Sequence, residues 1–220
     1  MEAEAKLSEA LEDYLKEIYS LQAEGSRATT SVLAKRRGVA PPSVTSMLTR
    51  LAALGLVEHE RYRGAVLTPA GEKAAVEVVR HHRLLEQYLA ESLGLGIDEV
   101  HDEADRLEHR LSEELEARID ESLGFPTHDP HGHPIPDGNL ELEHLELRRL
   151  SSLAPGEAAV IRRVPDADAD LLRYLAELRL LPGERVEVRG SAPFGGPLTL
   201  AAAGLELSIA REVADLISVA

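Results

Sequence analysis

Apolar residues recur at helical spacing from the start of the chain. Leu7, Leu11, Tyr14, Leu15, Ile18 and Leu21 in LSEALEDYLKEIYSLQ predict a helix over 7–22. Gly25-Ser26 breaks it, and Thr29-Thr30-Ser31 caps a short helix over 32–37 that Gly38 closes. A third helix, over 42–54, opens on Pro42 and stops at Gly55. It turns Val44, Met47, Leu48 and Leu51 to one face and Ser43, Thr45, Ser46 and Arg50 to the other. LVEHERYRGAVLTPAG then alternates as two strands, 56–61 and 65–68, with Arg61 and Arg63 near the hairpin tip. Helix, helix, helix, basic hairpin is the order of a winged helix-turn-helix.

The helical period continues over 69–93, is broken by Gly94-Leu95-Gly96, and resumes over 99–123 with Asp98 as cap. Residues 125–139, FPTHDPHGHPIPDGN, hold four prolines and read as a linker, with a short helical stretch at 140–149. From Leu150 the period changes to two. Strands are predicted at 158–164, 184–189, 198–202 and 205–209, with a helix over 167–178. LAPGEAAVIR and LLPGERVEVR nearly repeat, each a Pro-Gly turn opening a strand. Short strands joined by Gly/Pro turns predict a small β-barrel here. The expected fold is therefore mainly α with a small β part.

Composition narrows the function. The chain has 220 residues, no Cys and no apolar run near the roughly 20 residues that span a bilayer. Disulfides and cysteine chemistry are excluded, and an acidic N-terminus without a signal-peptide core fits a cytoplasmic protein. The net charge of −15 argues against nucleic acid, but its distribution reverses that. Residues 25–64 carry seven basic side chains against two acidic ones, a local footprint suited to DNA.

The nonapeptide HDEADRLEH carries the other chemistry. His101, Asp105, Glu108 and His109 are spaced i, i+4, i+7, i+8, within about a quarter-turn of one helix face. Two imidazoles and two carboxylates on one stripe can ligate a divalent cation. His82 and Glu86 repeat the i, i+4 spacing on the preceding helix. Charges at that spacing also make ordinary solvated faces, which accounts for Asp102, Glu103, Arg106 and Arg110. It accounts less well for the histidines, seven of whose nine fall between 81 and 133.

EDYLKEIYSL, APPSVTSMLTRLAALGLVEHERYRGAVLTPAG, HHRLLEQYL, VHDEADRLEHRLSEELEARI and DPHGHPIP occur in an order that resembles the diphtheria toxin repressor family of metal-dependent bacterial regulators, manganese-responsive members above all. The resemblance implies a winged helix at 1–70, a helical metal-binding and dimerisation domain at 71–140, and an SH3-like, FeoA-type domain at 148–220. It implies a primary metal site of Asp13, Asp105, Glu108 and His109 with His82 alongside. It also implies an ancillary site of Glu86 and His101, joined by His131 and by an acid of the third domain, for which Asp168 is the candidate. DNA contacts would come from Thr30, Ser31, Pro42, Ser43, Thr45, Ser46 and Arg50, with Arg61 and Arg63 on the wing. Iron-type members carry Met and Cys where this chain has Asp13 and Asp105. The simpler manganese-type members carry an acid where it has Lys16, and they lack the third domain.

The implied function is a repressor of metal-uptake genes activated by Mn2+, with Fe2+ as the alternative ion. It would act as a homodimer on an inverted-repeat operator, with Leu107, Leu111, Leu115 and Ile119 as the candidate dimer face. Two other classes remain at this stage. A metal-independent winged-helix regulator would bind DNA equally with and without chelator. A metallohydrolase would need an open metal position and a base in a cleft, and the chain has no HExxH, Gly-rich phosphate loop or nucleophile motif.

Overall fold

The computed structural model describes residues 7–60, 64–143 and 145–220. Arg61 and Arg63, expected on the wing, lie outside them. The chain divides into two compact units. One takes the described part of 1–81 with 108–110 and 136–141; the other takes 82–107, 111–135 and the described residues from 142 onward.

The first unit is the expected winged helix-turn-helix. It holds α1 (Glu9–Ala23), α2 (Thr30–Arg37), α3 (Pro41–Ala53), β1 (Val57–Glu60), β2 (Gly64–Leu67) and the start of α4 (Pro69–Leu93). The Thr29 hydroxyl accepts from Val32 N–H to open α2, and Gly38 closes it in the left-handed region at φ 64°. Antiparallel β1 and β2 set Val57 opposite Leu67, and Ala65 N–H donates to Ala28 O, tying the hairpin to the loop before α2. Leu11, Leu15 and Ile18 of α1 pack with Leu33, Val44, Leu48 and Leu51 in a solvent-free core. Burial of each such side chain stabilises by about 1.5–3 kcal/mol.

In the second unit the remainder of α4 packs with α5 (Val100–Leu107) and α6 (Glu113–Ser122) around Leu84, Leu85, Leu89, Val100, Ala104, Leu111 and Ile119. The single helix expected over 99–123 is therefore two. A 3-10 turn occupies Glu108–Arg110, Leu111 is extended at ψ 130°, and Ser112 restarts the helix by accepting from Leu115 N–H. Acidic Glu113, Glu114 and Glu116 favour that new N-terminus. The helix expected over 140–149 is also absent. Asp137 Oδ1 accepts from the N–H groups of Asn139 and Glu141, and described residues 141–147 are irregular. A short segment with no buried face lacks the packing that sustains a helix of this length.

The C-terminal part of this unit corrects the expected SH3-like barrel. Strands β3 (Arg148–Arg149), β4 (Ala158–Arg163), β5 (Arg185–Ser191), β6 (Leu198–Ala202), β7 (Leu205–Ile209) and β8 (Ser218–Val219) form an open antiparallel sheet ordered β3-β8-β4-β5-β6-β7. β3 and β7 are its unpaired edges. Strands of two residues at one end give too little ladder to close onto β7. Instead α7 (Ala169–Glu177) covers the apolar face, setting Leu172 and Leu175 on Ile161, Val186, Val188, Leu198 and Leu200. A short α8 (Arg211–Ala214) follows β7. None of the described helices is long and apolar enough to cross a membrane.

Candidate metal centres and DNA-reading surface

On α1 the apolar stripe that faces the core leaves Glu9, Glu12, Asp13 and Lys16, at i, i+3, i+4 and i+7, on another face. All four engage the 108–110 turn. His109 Nδ1 lies 2.7 Å from Glu12 Oε2 and its Nε2 lies 2.8 Å from Asp13 Oδ1. Lys16 Nζ donates to both oxygens of Glu108, at 3.0 and 2.7 Å, and Arg110 pairs with Glu9 at 2.5 Å. The Glu108 side chain is only 1% exposed. Asp13, Glu108 and His109 each bring a ligand atom within 4.8 Å of the others, a set of two carboxylates and one imidazole that suits a divalent ion. Glu12 was not singled out from sequence, although its place on the polar stripe beside Asp13 is visible there.

The break at 108–112 places the residues of HDEADRLEH on two elements. Glu108 and His109 point from the turn to α1, while His101 and Asp105 remain on α5 in the second unit. There His82 Nδ1 is 3.2 Å from Asp105 Oδ1, and His101 Nε2 is 4.0 Å from Asp105 Oδ2. Glu86, wholly buried on α4, is the centre of this second cluster. Its Oε1 lies 2.9 Å from His82 Nε2 and 3.0 Å from His101 Nδ1, and its Oε2 lies 3.5 Å from His131 Nδ1. Burial alone would raise the Glu86 carboxyl, but the imidazoles of His101, His131 and His82 outweigh it and hold the group well below the usual carboxylate range.

His131 gives a direct test of fit for a cation. The side chain is fully buried, and its Nε2 lies 2.9 Å from Ile97 O, a carbonyl that can only accept. Nε2 therefore carries the hydrogen, and in the neutral ring Nδ1 is a lone pair aimed at Glu86 Oε2. Neither of those two buried atoms forms a hydrogen bond. Two facing acceptors need a proton or a metal ion between them. Without an ion the proton wins: burial lowers the His131 pKa, yet Glu86 and then Asp129 raise it to about 9.

Asp168, the candidate third-domain acid, is held by its own helix. Asp168 is the N-cap of α7, its Oδ1 accepting from Leu171 N–H at 3.0 Å. Asp166, two residues earlier, lies 3.6 Å from His133 Nδ1. Burial pushes Asp166 up, but the charges of His133 and His101 hold it below the usual range. DADADLL offers three acids. The rule that Asp precedes an apolar helical run would have assigned Asp168 to the cap and left Asp166 for the cluster.

On α3, Pro42, Ser43, Thr45, Ser46 and Arg50 are all exposed, opposite buried Val44, Leu48 and Leu51. Pro42, Ser43, Ser46, Met47 and Arg50 line a shallow groove. Thr45 Oγ1 donates to Pro41 O, which leaves its lone pairs for an outside donor. Thr30 is half-buried and Ser31 exposed at the start of α2. Among the described residues of the basic segment, two arginines are ion-paired. Arg36 pairs with Glu17 and Glu24, and Arg37 pairs with Asp13 at 2.8 Å while lying over the Tyr14 ring. Arg27, Lys35 and Arg50 are exposed.

Comparison with known proteins matches this order of parts. Residues 6–65 match the family described as iron dependent repressor, N-terminal DNA binding domain; residues 68–137 match iron dependent repressor, metal binding and dimerisation domain; residues 148–220 match the FeoA domain. The iron-dependent repressor IdeR of Mycobacterium tuberculosis strain H37Rv is 34% identical over 97% of this chain and 98% of its own length. The diphtheria toxin repressor of Corynebacterium diphtheriae is 29% identical, covering 97% of each. Among solved structures, a manganese-dependent transcriptional repressor in complex with manganese superposes with a TM-score of 0.89 at 38% identity, covering 95% of this chain and 98% of that one. ScaR with bound Zn2+ superposes with a TM-score of 0.80 at 33% identity over 96% and 98%. With helical, metal-ligating and winged-helix parts in the same sequence order along nearly the full length, the chain belongs to the iron-dependent repressor family of metal-regulated DNA-binding proteins.

Proposed function

We propose that this protein is a metal-activated DNA-binding repressor of metal-uptake genes, working in the cytoplasm as a homodimer on an inverted-repeat operator. The observation that carries the reading is the meeting of Asp13 on α1 with Glu108 and His109 on the 108–110 turn. In this reading 1–70 is the DNA-reading part, 71–140 the metal-binding and dimerisation part and 148–220 the C-terminal part.

Asp13, Glu108 and His109, with Glu12 beside them, would hold the primary ion. Glu86, His82, His101 and His131 would hold an ancillary one, with Asp105 against His82. The donors are oxygen and imidazole nitrogen without sulfur, which favours Mn2+ as the physiological activator, with Fe2+ the alternative. A bound divalent ion supplies the positive charge that lets buried carboxylates share one locus. The chain's own residues do the rest. Leu11, Leu15 and Ile18 fix α1 on the core shared with α3, so a turn held by Asp13 and Glu12 restrains the element that positions the reading helix. Free protein samples several placements of that turn, and ion binding favours the one compatible with the operator. Ser43, Thr45 and Ser46 face base edges, while Arg50 meets phosphate. Leu107 and Leu115, 43% and 49% exposed, are available to a partner copy, whereas Leu111 and Ile119 are buried within the chain.

The test is selection of duplexes from a random pool by the full chain, once with Mn2+ and once with chelator. Enrichment of a two-fold symmetric sequence only with Mn2+ is the expected result. Equal enrichment in both arms would replace this reading with a metal-independent regulator.

A further inference from the structure

The open C-terminal sheet leaves two edges, and they meet solvent differently. β3 is two residues long, and both are exposed arginines, Arg148 and Arg149. A short cationic strand discourages a further strand from pairing with it. β7 is five residues long, Leu205-Glu206-Leu207-Ser208-Ile209, with one charge, no Pro and an uninterrupted register on β6. It has none of the Lys, Pro or bulge that usually protect an edge. Leu205 is 60% exposed at one end of it. At the other end Ile209 pairs with Leu198, next to the β5–β6 loop whose tip carries the fully exposed Phe194.

The turn before β7 decides which of its backbone groups face outward. Ala203 and Gly204 form a two-residue turn with φ 48° and 78°, so the flanking Ala202 and Leu205 are a hydrogen-bonded pair. Such pairs alternate along the ladder, so Leu207 with Leu200 and Ile209 with Leu198 are hydrogen-bonded as well. The N–H and C=O groups of Glu206 and Ser208 therefore point away from β6, and among the described residues nothing bonds to them.

We propose that β7 is a self-recognition edge, pairing antiparallel with β7 of a second copy of this chain to join two sheets into one. Centred on Leu207, the pairing sets Glu206 opposite the partner's Ser208, and Ser208 opposite the partner's Glu206. Each of these two pairs exchanges both backbone hydrogen bonds. Leu205, Leu207 and Ile209 share the face that packs Ile209 and Leu207 on the core, so each copy's Leu205 extends the other's apolar row beside Ile209. The same two-fold brings that Leu205 to the end of the sheet where the Phe194 loop stands. Other registers are worse. Centring on Glu206 opposes two carboxylates, centring on Ser208 sets Leu205 against Arg211, and a one-residue slip turns the two apolar faces to opposite sides. A foreign strand would meet the same row of hydrogen bonds, but only a second copy supplies this match by symmetry. An edge of five residues buries less than the roughly 1,200 Å² of a stable interface, so the contact is weak and concentration-dependent. It is separate from the candidate dimer face at Leu107 and Leu115 and does not depend on metal activation.

The chain has no Cys, which makes the register directly readable. Glu206→Cys and Ser208→Cys both fall at exposed positions. In a mixture of the two variants the thiols stand opposite each other, with Cα atoms about 5.5 Å apart, within disulfide range. In either variant alone the like positions are diagonal, about 7–8 Å apart. Under mild oxidation the mixture is expected to form linked chains several-fold faster than either variant at the same total concentration. Equal rates would overturn the proposal. Sedimentation velocity of the full chain is the second measurement. Ser208→Pro removes an outward N–H that β6 does not use, so its thermal melt should stay close to wild type while two of the new hydrogen bonds are lost. Its self-association is expected to require about tenfold higher concentration or more. A folded Ser208→Pro whose mass distribution matches wild type at every concentration would overturn the proposal and leave the edge to a strand of another protein. Should Ser208→Pro not fold, the disulfide rates decide alone.

Discussion

Replacing Asp13 by Asn separates metal binding from folding. Asn keeps the shape but gives up the anionic ligand that joins α1 to the turn. Asp13 is about one-third exposed (30%) and accepts from Arg37 and pairs with His109, each at 2.8 Å. Contacts this exposed are screened, so the ion-free protein should lose about 1 kcal/mol of stability at most. Loss of a ligand should weaken Mn2+ binding by at least the ~10–100-fold typical of supporting residues, about 1.4–2.7 kcal/mol. The coupling to DNA should suffer more, because Asp13 is the member of the Asp13–Glu108–His109 set that lies on α1, and its loss leaves Glu12 as the carboxylate of α1 against His109. Coupling between sites is typically about 1–3 kcal/mol, so the ~5–150-fold gain in operator affinity that Mn2+ brings should largely vanish, even at Mn2+ concentrations that saturate the variant. The assay is fluorescence anisotropy of a selected operator duplex at fixed ionic strength, with Mn2+ and with chelator, beside a denaturation curve. A variant that folds, saturates with Mn2+ and still shows the full wild-type gain would refute the link through Asp13.

Leu48→Ala, in the solvent-free core beneath the reading helix, should cost about 2–5 kcal/mol in urea denaturation, and a loss under about 1 kcal/mol would contradict that packing. Arg50→Ala should weaken all duplexes alike and reduce the slope of log affinity against log salt by roughly one, an unchanged slope arguing against phosphate contact. Gly132→Ala meets the Arg162 carbonyl and a positive φ at once, so it should lower stability by about 2 kcal/mol or more in a thermal melt. The His131 imidazole, protonated below about 9, must release its proton to ligate. Affinity at the Glu86 centre should therefore rise with pH from neutrality up to about 9 and level off above it, with calorimetry in buffers of different ionisation enthalpy reading the released proton. A pH-independent affinity over that range would exclude His131 as a ligand.

The winged helix was readable because its signals are local: Thr29 as a cap, Gly38 and Gly55 as stops, and an apolar stripe on each helix. The long helix at 99–123 was misread because Leu111-Ser112 interrupts it without Gly or Pro, and the periodic leucines run through the break. That break sets Glu108 and His109 on a turn against Lys16, Asp13 and Glu12 of α1. The ligand types were legible at spacings of four, but their grouping depended on backbone that no periodicity records. Short strands and Pro-Gly turns indicated the C-terminal sheet. Whether a sheet closes depends on the length and pairing of its edges, and two-residue β3 and β8 leave almost no pattern in sequence. Glu12 and Asp129 were passed over because an acid on a helix face or in a loop is usually solvated, and only the fold shows what stands opposite.

The claim that ion binding and operator binding are one linked event is tested most directly by its reciprocity. Mn2+ affinity of the full chain is to be measured by calorimetry with and without saturating operator duplex, alongside operator affinity with and without saturating Mn2+. The two ratios are expected to agree, each within about 5- to 150-fold, as linkage requires. Mn2+ binding that is indifferent to the operator, with operator binding indifferent to Mn2+, would contradict the account.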